Sequence, residues 1–470
     1  MQSRGLIAGA LFALTLSPAP ALGNGRFPAA DQILLNPADP AHLVLRATFG
    51  LLQSRDSGRS WTWICEAAVG YMGDPAIAVL GDGSLLAGFF GSVAVSADVG
   101  CNWGNLTLET RYQYAFDTTL DPANPARAWV LTVSVDGSRQ VSLLSVDSSG
   151  AIVEALPVGG GFVPSTVEVA PSNPNRIYVT GAIENEPSIV LRSEDRGHNW
   201  QRFAFDAYGS SPLFISAVDP LDPNLVYARI DNQQDASRPT TQRQPSDHLL
   251  VSRDAGENWE TVFSLDGDLY GFALSPDGSR IATGGPELGL YLASAQQLDF
   301  KPAPAPVRGL RCLRWTAEGL LACGQETLDG WTVGLSRDEG QSFEPLWHVT
   351  DLAPLVCSPT SSTGAVCPAV WPDVARTIGA ERGEPPTIVG PPPPAAQDDG
   401  GCSFSGTLSR AAPSRAAPSR AAPSPPAPSP PALSRAALSR AALAPLAGWL
   451  PFAAALGWFG RRRRRQGTSI

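Results

Sequence analysis

The stretch "VSRDAGENWE" at residues 251–260 has four close relatives elsewhere in the chain. All five share the pattern Ser-x-Asp-x-Gly-x-x-Trp/Phe, which we call the box. The other copies are "QSRDSGRSWT" (53–62), "VSADVGCNWG" (95–104), "RSEDRGHNWQ" (192–201) and "LSRDEGQSFE" (335–344). The box residues are Ser54, Asp56, Gly58, Trp61, Ser96, Asp98, Gly100, Trp103, Ser193, Asp195, Gly197, Trp200, Ser252, Asp254, Gly256, Trp259, Ser336, Asp338, Gly340 and Phe343. A pattern that recurs this often indicates a repeat architecture.

The spacing of the box aspartates gives the number of repeats. Successive copies are 42, 97, 59 and 84 residues apart, so two of the gaps are about twice as long as the others. Eroded copies stand near the middle of both long gaps, at "LSVDSSGAI" around Asp147 and at "LASAQQLDF" around Ser294. The chain therefore has seven repeats with a mean period of about 47 residues.

Each repeat also has a short β-rich segment ahead of its box, such as "HLVLRAT", "NRIYVTG" or "NLVYARI". Most of these segments follow turn-forming clusters such as "NPADP" and "DPANP". Short alternating strands between turn signals indicate an all-β fold. A period of about 40–50 residues with four strands is typical of a propeller blade, whereas a β-sandwich array needs longer domains. The sequence predicts an all-β, seven-bladed β-propeller over residues 24–370.

The residue types in the box fit a tight hairpin better than a catalytic centre. Short oxygen-bearing side chains such as Ser54 and Asp56 can bond to backbone amides across a turn. Gly58 permits a positive φ, and Trp61 on the returning strand can bury a large apolar area against a neighbouring layer. No nucleophile with an adjacent base is recognisable in the box. We therefore assign these residues a structural role.

The repeated box resembles the Asp-box, or BNR repeat, of propellers similar to sialidases, sortilin-type receptors and photosystem assembly factors. The resemblance covers about residues 30–350. It implies that each box hairpin joins the two outer strands of a blade, on the face opposite the usual ligand site. Ligand contacts are then expected on loops between second and third strands, of which the longest is 231–248. Its candidate contact residues are Asp231, Asp235, Arg238 and Arg243, although a tolerated surface insertion explains this loop equally well.

The two ends of the chain predict export and tethering. Residues 1–23 have a basic start, an apolar run and small residues before Asn24, which is the pattern of a cleaved signal peptide. Residues 371–440 are a Pro/Ala/Ser-rich spacer of the kind expected to be disordered. Residues 441–460 are apolar and long enough for a C-terminal transmembrane helix, and the tail 461–470 begins with five arginines.

The C-terminal region also resembles the MYXO-CTERM type of sorting tail. The features that carry the resemblance are "DDGGCSFSG" with Cys402, the apolar span and the arginine run. The resemblance implies that a sorting peptidase processes the tail at Cys402, which leaves the protein anchored at the cell surface or outer membrane. The sequence departs from the pattern because 38 residues separate Cys402 from Ala441. An unpaired thiol in a linker is the alternative.

Seven cysteines in an exported chain predict three disulfides and one cysteine left over. Nearness in sequence favours the pairs Cys65–Cys101, Cys312–Cys323 and Cys357–Cys367, with Cys402 unpaired, while the sequence alone leaves the connectivity open. The spacing does not fit a zinc site, and the chain has four histidines. We expect no metal and no cofactor.

The charge distribution argues against nucleic-acid binding. Residues 1–400 contain 24 basic and 44 acidic residues, because ten arginines lie in 401–470. An acidic ectodomain repels phosphate backbones.

Two functions remain in competition. The sequence favours a displayed binding module for an extracellular protein or glycan, since the signal, spacer and anchor all hold the propeller away from a membrane. The alternative is a sialidase-like or other glycoside hydrolase, which needs an arginine cluster and paired carboxylates. The candidates are Arg-Phe-Pro at 26–28, which loosely resembles the Arg-Ile-Pro motif of sialidases, together with three arginines and two glutamates. No catalytic residue is assigned. The arginines and glutamates are Arg46, Arg111, Arg229, Glu154 and Glu184.

Overall fold

A computed structural model of the chain describes residues 29–71, 73–107, 113–231, 247–286 and 288–380. Within these ranges the chain forms seven sheets, each built on four consecutive antiparallel strands, and the first sheet gains a fifth strand from the C-terminal segment. The first strand of each sheet neighbours the first strands of the sheets before and after it, and the first sheet also meets the seventh. The sheets are therefore the blades of a closed ring. The all-β, seven-bladed prediction is confirmed.

The strands are numbered in chain order and run from the innermost to the outermost strand of each blade. Blade 1 contains β1 (Ala30–Leu35), β2 (Leu43–Ala47), β3 (Gly50–Ser54) and β4 (Thr62–Ile64). Blade 2 contains β5 (Ala76–Val79), β6 (Leu85–Phe89), β7 (Ser92–Ser96) and β8 (Gly104–Thr107). Blade 3 contains β9 (Gln113–Leu120), β10 (Arg127–Ser134), β11 (Gln140–Asp147) and β12 (Ile152–Gly160). Blade 4 contains β13 (Val163–Val169), β14 (Ile177–Ala182), β15 (Ser188–Ser193) and β16 (Gln201–Phe205).

The remaining blades follow the same order. Blade 5 contains β17 (Leu213–Val218), β18 (Val226–Asp231), β19 (Asp247–Ser252) and β20 (Glu260–Leu265). Blade 6 contains β21 (Gly271–Leu274), β22 (Arg280–Gly285), β23 (Gly289–Ser294) and β24 (Lys301–Pro302). Blade 7 contains β25 (Cys312–Thr316), β26 (Gly319–Cys323), β27 (Val333–Ser336) and β28 (Glu344–Trp347). The other elements are α1 (Glu66–Val69), α2 (Glu326–Asp329), a 3-10 helix (Val349–Asp351), β29 (Ala353–Pro354) and α3 (Ser362–Ile378).

Every box lies in the connection between the third and fourth strands of a blade. This holds for the five intact copies and for the two eroded copies, where Asp147 ends β11 and Ser294 ends β23. In a four-stranded meander, the connection between second and third strands is at the opposite end of the sheet. We call the end with the box hairpins the box face and the other end the loop face. The seven predicted repeats and their register are therefore correct.

The box is held by hydrogen bonds from its own side chains. In the first copy, Ser54 Oγ accepts from the Gly58 amide at 2.8 Å and donates to Asp56 Oδ1 at 2.7 Å. Asp56 Oδ1 also accepts from the Ser60 amide at 2.9 Å. Gly58 has a φ of 88°, and Ser57 before it has a φ of 59°. The box pattern does not predict this second left-handed residue, because its type varies between copies.

The box aromatic residues pack between blades. Trp61 is fully buried and its ring centroid lies 5.7 Å from that of Trp347 in the seventh blade. Trp259 of the fifth blade meets Phe205 of the fourth at 6.4 Å. These two box hairpins therefore bury apolar surface against the preceding blade, which makes them structural joints of the ring.

The C-terminal segment closes the ring, and here two predicted disulfides are wrong. β29 adds to the outer edge of blade 1 in parallel with β4. The observed disulfides are Cys65–Cys367, Cys101–Cys357 and Cys312–Cys323, so only the last matches the pairing expected from nearness in sequence. The physical reason is that the segment around α3 returns across the first two blades. The Thr363 amide, for example, donates to the Cys101 carbonyl at 3.0 Å.

Several sequence predictions lie outside the described residues. These are the signal peptide, Cys402, the apolar segment 441–460 and the basic tail. α3 reaches Ile378, past position 371 where the spacer is expected to begin. In the part of the chain that the structure describes, no helix combines the length and apolar character needed to cross a membrane.

Candidate ligand-binding channel

The innermost strands of the seven blades surround a central channel of about 690 Å³. This volume falls within the range of small-molecule sites, about 300–1,000 Å³. The lining includes serine and threonine hydroxyls, phenylalanines, one tyrosine and charged side chains of both signs. The charged lining residues are Asp31, Arg46, Asp74, Asp117, Glu168, Arg229 and Arg314.

β-Bulges in four of the inner strands place extra residues in the channel wall. The register with the second strand slips at Asp31 in β1, Phe116 in β9, Ser165 in β13 and Ser216 in β17. All four residues line the channel. A bulge inserts one residue and shifts the alternation of the side chains after it. The bulges therefore determine which side chains of these strands face the channel and which face the next blade.

The bulge at Phe116 brings two carboxyl groups together on neighbouring inner strands. Beyond it, Asp117 turns toward blade 4, where its Oδ2 accepts from the Val167 amide at 2.9 Å. Glu168, the next residue of β13, accepts from Thr119 Oγ1 at 3.2 Å. The two acids thus occupy one region of the channel wall.

The enclosed position of this pair raises both pKa values. Burial raises the pKa of Asp117 to about 6, against the opposing effects of backbone hydrogen bonds from Val167 and Thr118 and of the charge on Arg46. Burial raises the pKa of Glu168 to about 8, and the negative charge of Asp117 adds to the increase. At neutral pH, the pair therefore retains one proton, held chiefly by Glu168.

Arg314 of β25 is the cation that acts on Glu168. Arg314 is exposed to the channel, whose protein walls surround it, and partial desolvation there lowers the pKa of its guanidinium. The charge of Glu168 opposes that decrease. The middle of the channel therefore contains two acids and one arginine that influence one another.

Two arginines named from the sequence line the channel toward its loop face. Arg46 Nη1 donates to the Pro75 carbonyl at 3.2 Å. Arg229 Nη1 donates to the Leu269 carbonyl at 2.9 Å, and its guanidinium lies 5.0 Å from the Phe214 ring centroid. The structure thus brings Arg46 and Arg229 to one cavity, from blades 1 and 5, while Arg111 lies outside the described residues.

The two glutamates named from the sequence lie elsewhere. Glu154 is in β12, the outermost strand of blade 3, and its Oε1 is 3.4 Å from Nε2 of His198. Glu184 is exposed in the turn between β14 and β15. The carboxylates of the channel were missed because Asp117 and Glu168 carry no sequence motif. The channel tyrosine, Tyr270, donates to Asp268 Oδ2 at 2.7 Å.

The candidate ligand loop connects β18 and β19 at the loop face of blade 5. Asp231 is the last residue of β18, while Asp235, Arg238 and Arg243 lie outside the described residues. Its expected contacts with a ligand therefore stay a prediction. Among the described residues, no group of three or more His, Cys, Asp or Glu side chains is arranged to bind a metal ion.

Comparison with known proteins gives similarity in fold only. The sequence matches no protein-family model, and no curated protein matches it. A crystal structure of an ancestral GH74 enzyme has a TM-score of 0.49 and 14% identity, and the alignment covers 68% of this chain and 46% of that one. The chain thus spans about half the length of that enzyme. Hydrazine synthase from Kuenenia stuttgartiensis has a TM-score of 0.47 and 14% identity, with 70% of this chain and 100% of that chain covered.

Proposed function

We propose that this protein is an exported, surface-tethered recognition propeller that binds an extracellular protein or glycan in its central channel. The observation that carries the proposal is the channel itself, because the bulged residues of four inner strands line an open cavity of about 690 Å³. A rigid scaffold with convergent polar groups in a concave site is the usual form of a binding site.

The location of the boxes supports the loop face as the side where the ligand enters. The box side chains form hydrogen bonds within their own hairpins, and box aromatic residues such as Trp61 pack against a neighbouring blade. These groups are therefore engaged in the fold and not in ligand binding. This arrangement is what the Asp-box resemblance implies for a structural repeat. The long loop 231–248 and two of the three channel arginines, Arg46 and Arg229, belong to the opposite end.

Export and tethering are supported by chemistry at both ends of the chain. Three disulfides suit an oxidising compartment outside the cytoplasm. The signal-like start, the spacer, Cys402 and the apolar segment followed by arginines form the expected order for a processed surface anchor. We propose that a sorting peptidase acts at this tail.

Blocking the channel tests the binding proposal. The full chain is screened against an array of neutral and acidic glycans and against a library of extended peptides, alongside two variants. Ser216→Trp adds bulk at a bulged channel position, and Leu221→Trp adds the same bulk at an exposed turn on the box face. We expect the first variant to lose binding and the second to retain it. Equal binding by Ser216→Trp and the parent protein would exclude the channel as the site.

Intact mass tests the tail proposal. The protein is extracted from membranes of cells that express the full chain, and its mass is compared with that of a Cys402→Ala variant. A shortened product that depends on Cys402 supports processing at that residue. A full-length C-terminus in both proteins would contradict it.

Glycoside hydrolysis is the second candidate, and the Asp117–Glu168 pair favours it. Glycosidases use one protonated and one ionised carboxyl group, and their pKa values are separated by the environment of each group. Glu168 would supply the acid and Asp117 the base or nucleophile. The test is hydrolysis of fluorogenic glycosides, including a sialoside, by the full chain and by Glu168→Gln and Asp117→Asn. Absence of turnover on every substrate by the parent protein would remove this candidate.

A further inference from the structure

Three aromatic rings form a continuous path from the loop face into the channel. Phe90 lies in the turn between β6 and β7, and 55% of its side chain is exposed. Its ring centroid is 6.3 Å from that of Tyr114, which is 4.8 Å from that of Phe116. Phe116 is the bulged residue of β9 and lines the channel. We call Phe90, Tyr114 and Phe116 the aromatic path.

The backbone fixes the aromatic path in place. Phe90 and Tyr114 form an isolated antiparallel bridge between blades 2 and 3, and the Gly91 amide donates to the Gln113 carbonyl at 2.7 Å. The backbone therefore fixes the Phe90 ring in an exposed position, where it gains little stabilisation from burial. Single exposed apolar residues are common. An exposed ring that continues into a polar cavity is different, since it provides one apolar surface that leads to a hydrogen-bonding site.

The polar lining beside the path consists mainly of hydroxyl and charged groups. Asp117, Thr118 and Thr119 follow Phe116 along β9 and also line the channel. Arg46 lies close enough that its charge acts on both Tyr114 and Asp117. A ligand in this position needs an apolar face for the rings and a rim of donors and acceptors for the channel wall.

A pyranose ring meets both requirements, because its axial C–H groups form an apolar face and its hydroxyls form a polar rim. We propose that the aromatic path is a subsite for a neutral pyranose oligosaccharide, with a sugar stacked on Phe90 and the chain continuing past Phe116 into the channel. The inference rests on the proposed function and names its ligand class. An apolar peptide side chain would stack equally well on Phe90, but it would add no hydrogen bonds to those that Asp117 and Thr119 already make within the protein.

Charge favours a neutral oligosaccharide over an acidic one. Residues 1–400 contain 44 acidic and 24 basic residues, and four of the seven charged channel residues are acids. A polyanionic glycan therefore approaches against the field of the protein. A neutral sugar avoids this repulsion and can donate hydroxyl hydrogens to Asp117.

Isothermal titration of the full chain with cellohexaose and chitohexaose tests the inference. We expect Phe90→Ala to weaken binding roughly tenfold, since a stacked ring contact is worth on the order of that change in affinity. Phe90→Trp should retain the affinity, because it keeps a flat apolar surface. Leu221→Ala removes an exposed apolar side chain at the box face and serves as the matched control, with unchanged affinity expected. Hexagalacturonate and a proline-rich peptide should bind at least tenfold more weakly than the neutral sugars.

The outcomes separate the two proposals. If the neutral sugars bind but Phe90→Ala binds them as tightly as the parent, the aromatic path is refuted while channel binding stands, provided that Ser216→Trp abolishes it. If hexagalacturonate or the peptide binds more tightly than the neutral sugars, the ligand class is refuted. If no sugar and no peptide binds the parent protein, both the subsite and the proposed binding function are refuted.

Discussion

The disulfide between Cys65 and Cys367 joins the end of the first blade to helix α3 across 302 positions of sequence. Ten residues before Cys367, Cys357 bonds to Cys101 in the box of the second blade. One short C-terminal segment is therefore fixed covalently to two neighbouring blades. Since β29 of the same segment also pairs with β4, the first blade holds the end of the propeller by both main-chain and covalent bonds.

We expect the two long-range disulfides to substitute for each other. With Cys101–Cys357 intact, replacing Cys65 and Cys367 by alanine opens only a small additional loop, so the loss of stability should be modest. Removing both disulfides frees the C-terminal segment and should cost roughly 2–5 kcal/mol more than either single removal. The measurement is chemical unfolding of the four proteins at one pH.

The control for this comparison is the third disulfide. Cys312–Cys323 spans 11 positions between paired strands, and its removal should cost less than loss of both long-range bonds. Additive effects, in which the loss from the double removal equals the sum of the two single losses, would contradict a shared role in holding one segment.

A second prediction concerns the box serine. Ser54→Ala removes the acceptor of the buried Gly58 amide, and an unsatisfied buried donor costs about 1–3 kcal/mol. The matched control is Ser294→Ala in the eroded copy, where the serine hydroxyl bonds to the exposed Gln296 and the cost should stay below about 0.5 kcal/mol. Thermal unfolding of both variants measures the difference, and equal losses would show that the box hydrogen bonds are not what stabilises the hairpin.

The box explains why so much of the fold was predictable from sequence. Its hydrogen bonds join residues two and four positions apart, so that the pattern is local and its period counts the blades. The bulges were not predictable, because an extra residue such as Phe116 is defined only against the register of its partner strand. Asp117 and Glu168 meet only after that bulge, and Cys367 reaches Cys65 only after the ring has closed. Each of these relationships depends on distant parts of the chain.

The third prediction is a pH dependence of stability caused by Glu168. Its pKa is about 8 in the folded protein and ordinarily 4.5, so the folded state binds this proton more tightly than the unfolded state. Stability should therefore fall as the pH rises from about 4.5 to 8, across the interval between the two values. Glu168→Gln removes the ionisable group, and the fall between these pH values should shrink by roughly 1–3 kcal/mol.

Urea unfolding at several pH values measures this effect. Glu184→Gln is the control, because Glu184 is an exposed glutamate in the turn between β14 and β15 and its replacement should leave the slope unchanged. A Glu168→Gln protein with the same slope as the parent would show that the carboxyl group is not protonated in the folded state.

The fourth prediction uses Arg314 to show that the charges in the channel interact. Its positive charge stabilises the ionised form of Glu168 and so lowers the pKa of that carboxyl group, while burial and Asp117 raise it. Arg314→Gln removes the stabilising charge, and the pKa of Glu168 should rise above about 8.

Infrared titration of the protonated carboxyl band measures the shift, with the band assigned by its loss in Arg314→Gln/Glu168→Gln. Arg229→Gln removes a channel arginine from blade 5 that is engaged with the Leu269 carbonyl, and it should leave the midpoint in place. An unchanged midpoint in Arg314→Gln would mean that channel water screens the pair. Asp117 and Glu168 would then titrate independently of Arg314. A charged ligand group bound between Arg314 and the two acids would have little effect on the pKa of either acid.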